Sequence, residues 1–437
     1  MLNRRALLAA GAFLPPLAAI AQTAPNHRFP DGFLWGAATA GHQVEGNNVN
    51  SDVWALENVR PTAYAEPSGD AANSFELWPT DLDLVRGLGL NSYRFSLEWA
   101  RIEPEPGRFS IAMLDHYQAM IDGCRARGLT PVVTFNHFTT PRWFAAAGGW
   151  ANPRSPALFA RYCERAAKQL AASIGYATTL NEPNLAGLLG LLLPPGIGDR
   201  LLASDRAMSQ AGARAYDVAK FQAGNAIWIE DVPSTAAHLL AAHRAGRQAI
   251  KAIRPALPVG VSLAIADDQA VGHDSLRDAM RAKLYGRWLD AVRGDDFVGV
   301  QNYQRQVWND KGRLPVPPGA PTNDSGSEVY PASLAGAVRY AYAASGVPII
   351  VTEHGVQAAD DRIRARLIPA ALTALKQAMD EGVPVKGYMH WSLIDNYEWG
   401  FGYGPKFGLH SFDHTTFIRT AKPSAAVLGG IARRNAV

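Results

Sequence analysis

From residue 29 onward, short runs of β-branched and aromatic residues alternate with longer stretches of helical periodicity. Eight of the short runs predict strands: Phe33–Ala40, Ser92–Trp99, Pro131–Phe138, Ala177–Glu182, Val259–Ile265, Phe297–Tyr303, Pro348–Glu353 and Val385–Ser392. Helical patterns lie between them, such as Ser74–Leu88 and Leu114–Arg127. Strand followed by crossover helix, repeated eight times, requires parallel strands. An open doubly wound sheet uses the same alternation, but no Gly-rich nucleotide fingerprint follows the first strand. The pattern therefore predicts an α/β fold, a closed (β/α)₈ TIM barrel, as one domain over residues 22–437.

The strand ends break the apolar pattern. Asn136-His137, Asn181-Glu182, Asn302-Tyr303, Glu353-His354 and Trp391-Ser392 all close candidate strands. In a barrel these ends converge on one face, where a site is built. Two of them place a carboxylate after an apolar run: Glu182 before Pro183, and Glu353 two residues before Gly355. A capping or salt-bridging Glu is a competing reading for either one alone. Two together suit a reaction that needs both a proton donor and a second carboxylate across one carbon, as glycoside hydrolysis does.

Composition narrows the choice of partner. Of 437 residues, 48% are hydrophobic and 19% charged, enough for a large core and unlike a disordered chain. The formal charge is +3; without Arg4 and Arg5, 40 basic residues face 39 acidic ones. A near-neutral chain has no electrostatic case for nucleic acid or an anionic membrane. Arg4 and Arg5 precede an apolar run from Ala6 to Ile20 and an Ala19-Ile20-Ala21 cleavage signal. Residues 1–21 thus resemble a secretory signal peptide of twin-arginine type, too short for a comfortable membrane span, and predict an exported, periplasmic protein. Cys124 and Cys163, the only cysteines, fall in helical patterns where a small buried thiol is the commoner reading and a bridge the alternative. No H-E-x-x-H stretch occurs, and His137 and His354 lack an obvious third ligand, so neither metal nor cofactor is expected.

Five segments together resemble the family 1 glycoside hydrolases over nearly the whole mature chain. They are Phe29 to Gly46 with Gln43; Tyr93-Arg94-Phe95-Ser96-Leu97-Glu98-Trp99; Asn181-Glu182-Pro183; Thr352-Glu353-His354-Gly355; and Trp391 to Leu409 with Glu398-Trp399. The resemblance implies a retaining β-glycosidase of β-glucosidase type. Glu353 would be the nucleophile and Glu182 the acid/base, with carboxyl groups about 5–5.5 Å apart. It also implies that Arg94 keeps Glu353 ionised, Tyr303 hydrogen-bonds it, and Asn181 binds the sugar 2-hydroxyl. Gln43, His137, Glu398 and Trp399 would hold the other hydroxyls, and Trp391 would lie beneath the ring. A carboxylate at Glu398 would repel a 6-phosphate, which points to a non-phosphorylated sugar.

Three positions depart from the family's commonest form: Phe138 for Trp, His354 for Asn, and Asn184 for an aromatic. They bear on one sugar contact, on hydrogen bonding around the nucleophile and on the leaving-group side. Leu185, Leu188, Leu189 and Leu191-Leu192-Leu193 form either an apolar wall for the aglycone or an ordinary buried helix. A transglycosidase would use the same carboxylates. A non-catalytic sugar-binding relative would be expected to lack one of them. The expected partner is a small-molecule or oligosaccharide β-glycoside; oligomeric state is not legible.

Overall fold

The computed structural model describes residues 27–192, 197–224 and 229–437, so the expected signal peptide lies outside them. Each of the eight apolar runs forms a strand: β1 Leu34–Ala38, β2 Ser92–Ser96, β3 Thr130–Asn136, β4 Tyr176–Asn181, β5 Val259–Ala264, β6 Val298–Asn302, β7 Ile349–His354 and β8 Val385–Trp391. They pair in chain order, all parallel, and β1 closes on β8 with Leu34 opposite Gly387 and Ala38 opposite Trp391. The barrel expected from the sequence is therefore the fold.

Among the described residues, longer helices that flank the strands include α1 Ser74–Gly87, α2 Ile111–Ala126, α3 Ser155–Leu170, α4 Val232–Ile253, α5 Ser333–Ser345, α6 Asp361–Asp380 and α7 Pro423–Arg434. A further long helix, Ile197–Ala215, lies in the connection between β4 and β5. Proline in the first turn of α3, α4 and α7 fits positions whose backbone N–H has no helical partner. Gly346, left-handed at φ 70°, ends α5 with its N–H on the Tyr342 carbonyl at 2.8 Å. The main core lies between the strands and these helices, while a smaller cluster including Leu34, Val132, Ile350 and Met389 fills the barrel interior. Cys124 and Cys163 are buried, unbridged thiols in that main core. No helix among the described residues is long and apolar enough to cross a membrane.

Most of the strands stop one to three residues before their expected carboxyl ends, because the chain turns there into short helices or loops. Gln43 sits on the four-residue helix Gly41–Val44 after β1, and Glu98 caps another at Trp99–Ile102 after β2. Register shifts occur where the carboxylates are displayed: between Thr178 and Asn181 in the β4–β5 ladder, and on β7 both where it meets β6, between Val300 and Gln301, and where it meets β8, between Tyr388 and His390. Strict alternation would turn Asn181 away from the face that carries Thr178, and Glu353 away from the face of Thr352. The irregular register lets each follow its neighbour inward, as bulges do next to active sites.

Candidate active site

Glu353 closes β7 with only 4% of its surface exposed, and both its oxygens are held. Oε1 accepts from Arg94 Nη1 at 2.6 Å and Oε2 from the Tyr303 hydroxyl at 2.6 Å. Arg94, fully buried on β2, also donates Nη2 to Asn181 Oδ1 at 2.6 Å. Glu182, just past β4, is held differently. Its backbone takes φ 43° and donates to the Ser262 carbonyl at 2.8 Å, while its carboxyl makes no hydrogen bond among the described residues. A non-glycine residue in the left-handed region is strained, a cost that tends to gather at functional sites.

Those environments separate the two acids. Burial raises the Glu182 carboxyl well above its ordinary range, and the charge of nearby Glu353 raises it further. Burial also lifts Glu353, but Arg94 and the Tyr303 hydroxyl oppose that lift. Glu353 is therefore the first of the two to ionise, and Glu182 the one that keeps its proton.

The polar residues around this pair are oriented by one another. Asn181 Oδ1 receives a second donor, Gln301 Nε2 at 2.7 Å, so its NH₂ group must face His137 Nε2 at 3.1 Å. That makes Nε2 of His137 the acceptor and puts the ring proton on Nδ1, a buried atom without a partner. Burial and the Arg94 charge hold the imidazole well below its usual pKa, so it stays neutral. One Asn181 amide hydrogen, the His137 Nδ1–H and the unpartnered Gln43 Oε1 are thus free for a ligand's hydroxyls. Gln43 is fixed through Nε2 to the Tyr397 carbonyl at 2.8 Å and Asn396 Oδ1 at 3.1 Å.

Aromatic rings line the same space. The His137 ring stacks between Trp391, at 5.7 Å and 20°, and Trp399, at 6.2 Å and 15°. Trp391 Nε1 donates to Glu398 Oε1 at 3.3 Å. Burial pushes the Glu398 carboxyl up to about 8. The expected repulsion of a phosphate depends on the charged form of Glu398, which this burial disfavours.

The sequence brought all ten expected residues to one end of the barrel, but four neighbours are engaged elsewhere. Asn136 and Asn302 bind the Thr139 and Ile265 carbonyls and shape loops instead of the site. Asn184 is oriented by the Ala264 backbone, at 2.8 and 3.1 Å, which leaves one amide hydrogen unused. His354 binds the Tyr388 hydroxyl at 2.9 Å and is neutral, pushed down to about 3 by burial. Gln301, which orients Asn181, was missed; its signal is a polar residue two positions before Tyr303, on the same strand face.

Comparison with known proteins places this geometry in a family. The model of glycosyl hydrolase family 1 matches residues 25–264 and 295–437. The chain belongs to glycosyl hydrolase family 1. It is thus an O-glycosyl hydrolase. Curated family members similar to it include thermostable β-glucosidase B of Thermobispora bispora, 30% identical over 96% of this chain and 93% of that protein. A β-glucosidase of Agrobacterium sp. is 28% identical over 93% and 95%. Among solved structures, β-glycosidase BGL167 is 47% identical with a TM-score of 0.86, covering 94% of this chain and 98% of its own.

Proposed function

We propose that the protein hydrolyses terminal β-glucosides by double displacement, with Glu353 as nucleophile and Glu182 as acid/base. The carrying observation is the asymmetry of the two acids: Glu353 is bound through both oxygens by Arg94 and Tyr303, whereas the half-buried Glu182 carboxyl has no hydrogen bond among the described residues and its pKa is raised by desolvation and by the charge of Glu353. In the first step a Glu353 oxygen attacks the anomeric carbon and the bond to the leaving oxygen breaks. The Glu182 proton passes to that oxygen, leaving a glycosyl ester on Glu353. In the second step Glu182, now a carboxylate, takes a proton from water; the water oxygen attacks the same carbon and releases Glu353. Two inversions give net retention.

Asn181, His137, Gln43 and Glu398 receive the sugar's hydroxyls, and Trp391 supplies the apolar platform. A neutral hexose matches this set, since each buried donor or acceptor pairs with one hydroxyl. Glucose is the proposed glycone because it is the sugar named for the Thermobispora and Agrobacterium relatives.

The test is a panel of aryl β-glycosides, with the anomer first released read by NMR. Retention with glucosides preferred is expected; an inverted first product overturns the mechanism, and better turnover of 6-phosphoglucosides overturns the glycone. Glu353→Gln should lose more than about 10³-fold in kcat, as loss of an attacking group does. Glu182→Ala should lose about 10²–10⁴-fold on poor leaving groups. Azide should restore part of its turnover on activated aryl glucosides and give the β-glucosyl azide.

A further inference from the structure

A cavity of about 660 Å³ opens on one side of the acid pair. Its wall includes Glu182, Asn181, Phe138 and Trp399, but neither Glu353, Tyr303 nor Glu398. This inference rests on the proposed function: if Glu182 protonates the departing oxygen, the group carried by that oxygen lies where Glu182 faces. The cavity is then where the leaving group goes.

Its wall is mostly apolar. Leu185, Leu201, Met208, Leu239, Leu284 and Trp288 converge from four separate helical segments. Beyond Asn181 and Glu182 the polar members are Tyr64, Asn184, Asp205, Gln222, Thr235, Lys283 and Arg287, and they differ in what they can still bind; Tyr64 and Asp205 are each already engaged. Asn184 is oriented by the Ala264 backbone with one amide hydrogen left, and Lys283 and Arg287 are exposed to solvent. By contrast, Gln222 is 5% exposed and its Oε1 has no partner; the Thr235 hydroxyl is also unpartnered. A second sugar ring would bring several hydroxyls against this wall and leave most of them unpaired, each at a cost. A large apolar body with one hydroxyl costs nothing of the kind. Pockets of about 300–1,000 Å³ with few, placed polar groups suit such a molecule.

We propose that this cavity selects β-glucosides of a bulky apolar alcohol, fused-ring or long-chain, whose own distal hydroxyl is received by Gln222 or Thr235. Hydrolysis then adds water across the glycosidic bond and releases glucose and that alcohol. The leucine run expected to form the wall contributes only in part. Leu185 lines the cavity, Leu188 turns into the main core, and the side chains of Leu189 and Leu191–Leu193 lie outside the described residues.

The test measures kcat/KM for methyl, butyl, hexyl and octyl β-glucosides, below micelle-forming concentrations, beside cellobiose. The series should climb with chain length, by up to about fourfold for each buried methylene, the factor that 0.8 kcal/mol converts to. Octyl glucoside should outpace cellobiose. Leu239→Gln should flatten the octyl-to-methyl ratio, which is read within one protein and is independent of its folded fraction. Gln222→Leu should lower the ratio of 8-hydroxyoctyl to octyl glucoside. A flat series, or cellobiose ahead of octyl glucoside, overturns this inference alone if an activated aryl glucoside is still cleaved. No cleavage of any β-glucoside takes the proposed function down with it.

Discussion

At the scale of single residues, the reaction depends on two glutamates that are chemically identical and electrostatically different. Because Glu353 ionises first, kcat/KM should fall in acid as Glu353 takes up its proton and in alkali as Glu182 loses its own. The profile is a bell bounded by the pair. Tyr303→Phe removes a donor that favours the Glu353 anion. The Glu353 pKa then rises further, so the acid limb should move to higher pH. The alkaline limb, set by Glu182, should stay near its place. The rate at optimum should fall about 10- to 100-fold, the worth of a hydrogen bond to a charged group. An acid limb that moves downward contradicts the assignment. Both glutamates were legible in the sequence because a carboxylate ending an apolar strand is a local anomaly. Gln301 was not, since its value lies in an Asn181 contact 120 residues away in the chain.

At the scale of elements, strands and helices followed their hydrophobic periods closely, and the departures gathered at the carboxyl ends of the strands. There the chain gives up regular pairing to aim side chains, and no alternation rule foresees a register shift. Helix packing depends equally on unlike neighbours. α3 and α4 approach so closely that a Cβ on Gly246 would lie 2.7 Å from Phe159 Cε1 and 3.1 Å from Cys163 Sγ. Gly246→Leu should therefore destabilise the fold by at least about 1–3 kcal/mol, despite leucine's better helix propensity. Denaturant titration measures this directly. An unchanged or raised midpoint would show that the two helices separate easily.

At the scale of the whole molecule, the two ends of the described chain meet beneath the barrel. Asn435, left-handed at φ 50°, accepts from Trp35 Nε1 at 2.9 Å and donates Nδ2 to the Phe29 carbonyl at 2.8 Å. Its backbone carbonyl accepts from Phe29 N at 2.9 Å. Trp35 lies on β1, so this clasp ties α7 to the strand that closes the barrel on β8. Asn435→Ala leaves the buried indole N–H without a partner and should cost about 2 kcal/mol. The check is calorimetry, where a melting temperature lowered by a few degrees is expected. A melting temperature within error of the parent would mean that closure does not depend on the clasp.

The sequence by itself determined the number and order of the strands, the crossover helices and which strands end in glutamate. These follow from local periodicity and residue type. Only the tertiary structure decided that Asn181 and Glu353 turn inward, because that rests on ladder register between strands. It also decided which glutamate keeps its proton, since a pKa sums over burial and charges from distant segments: Arg94 meets Glu353 from 259 residues away. The apolar cavity beside Glu182 belongs to the same class, for no single segment of the chain carries enough of its wall to reveal it.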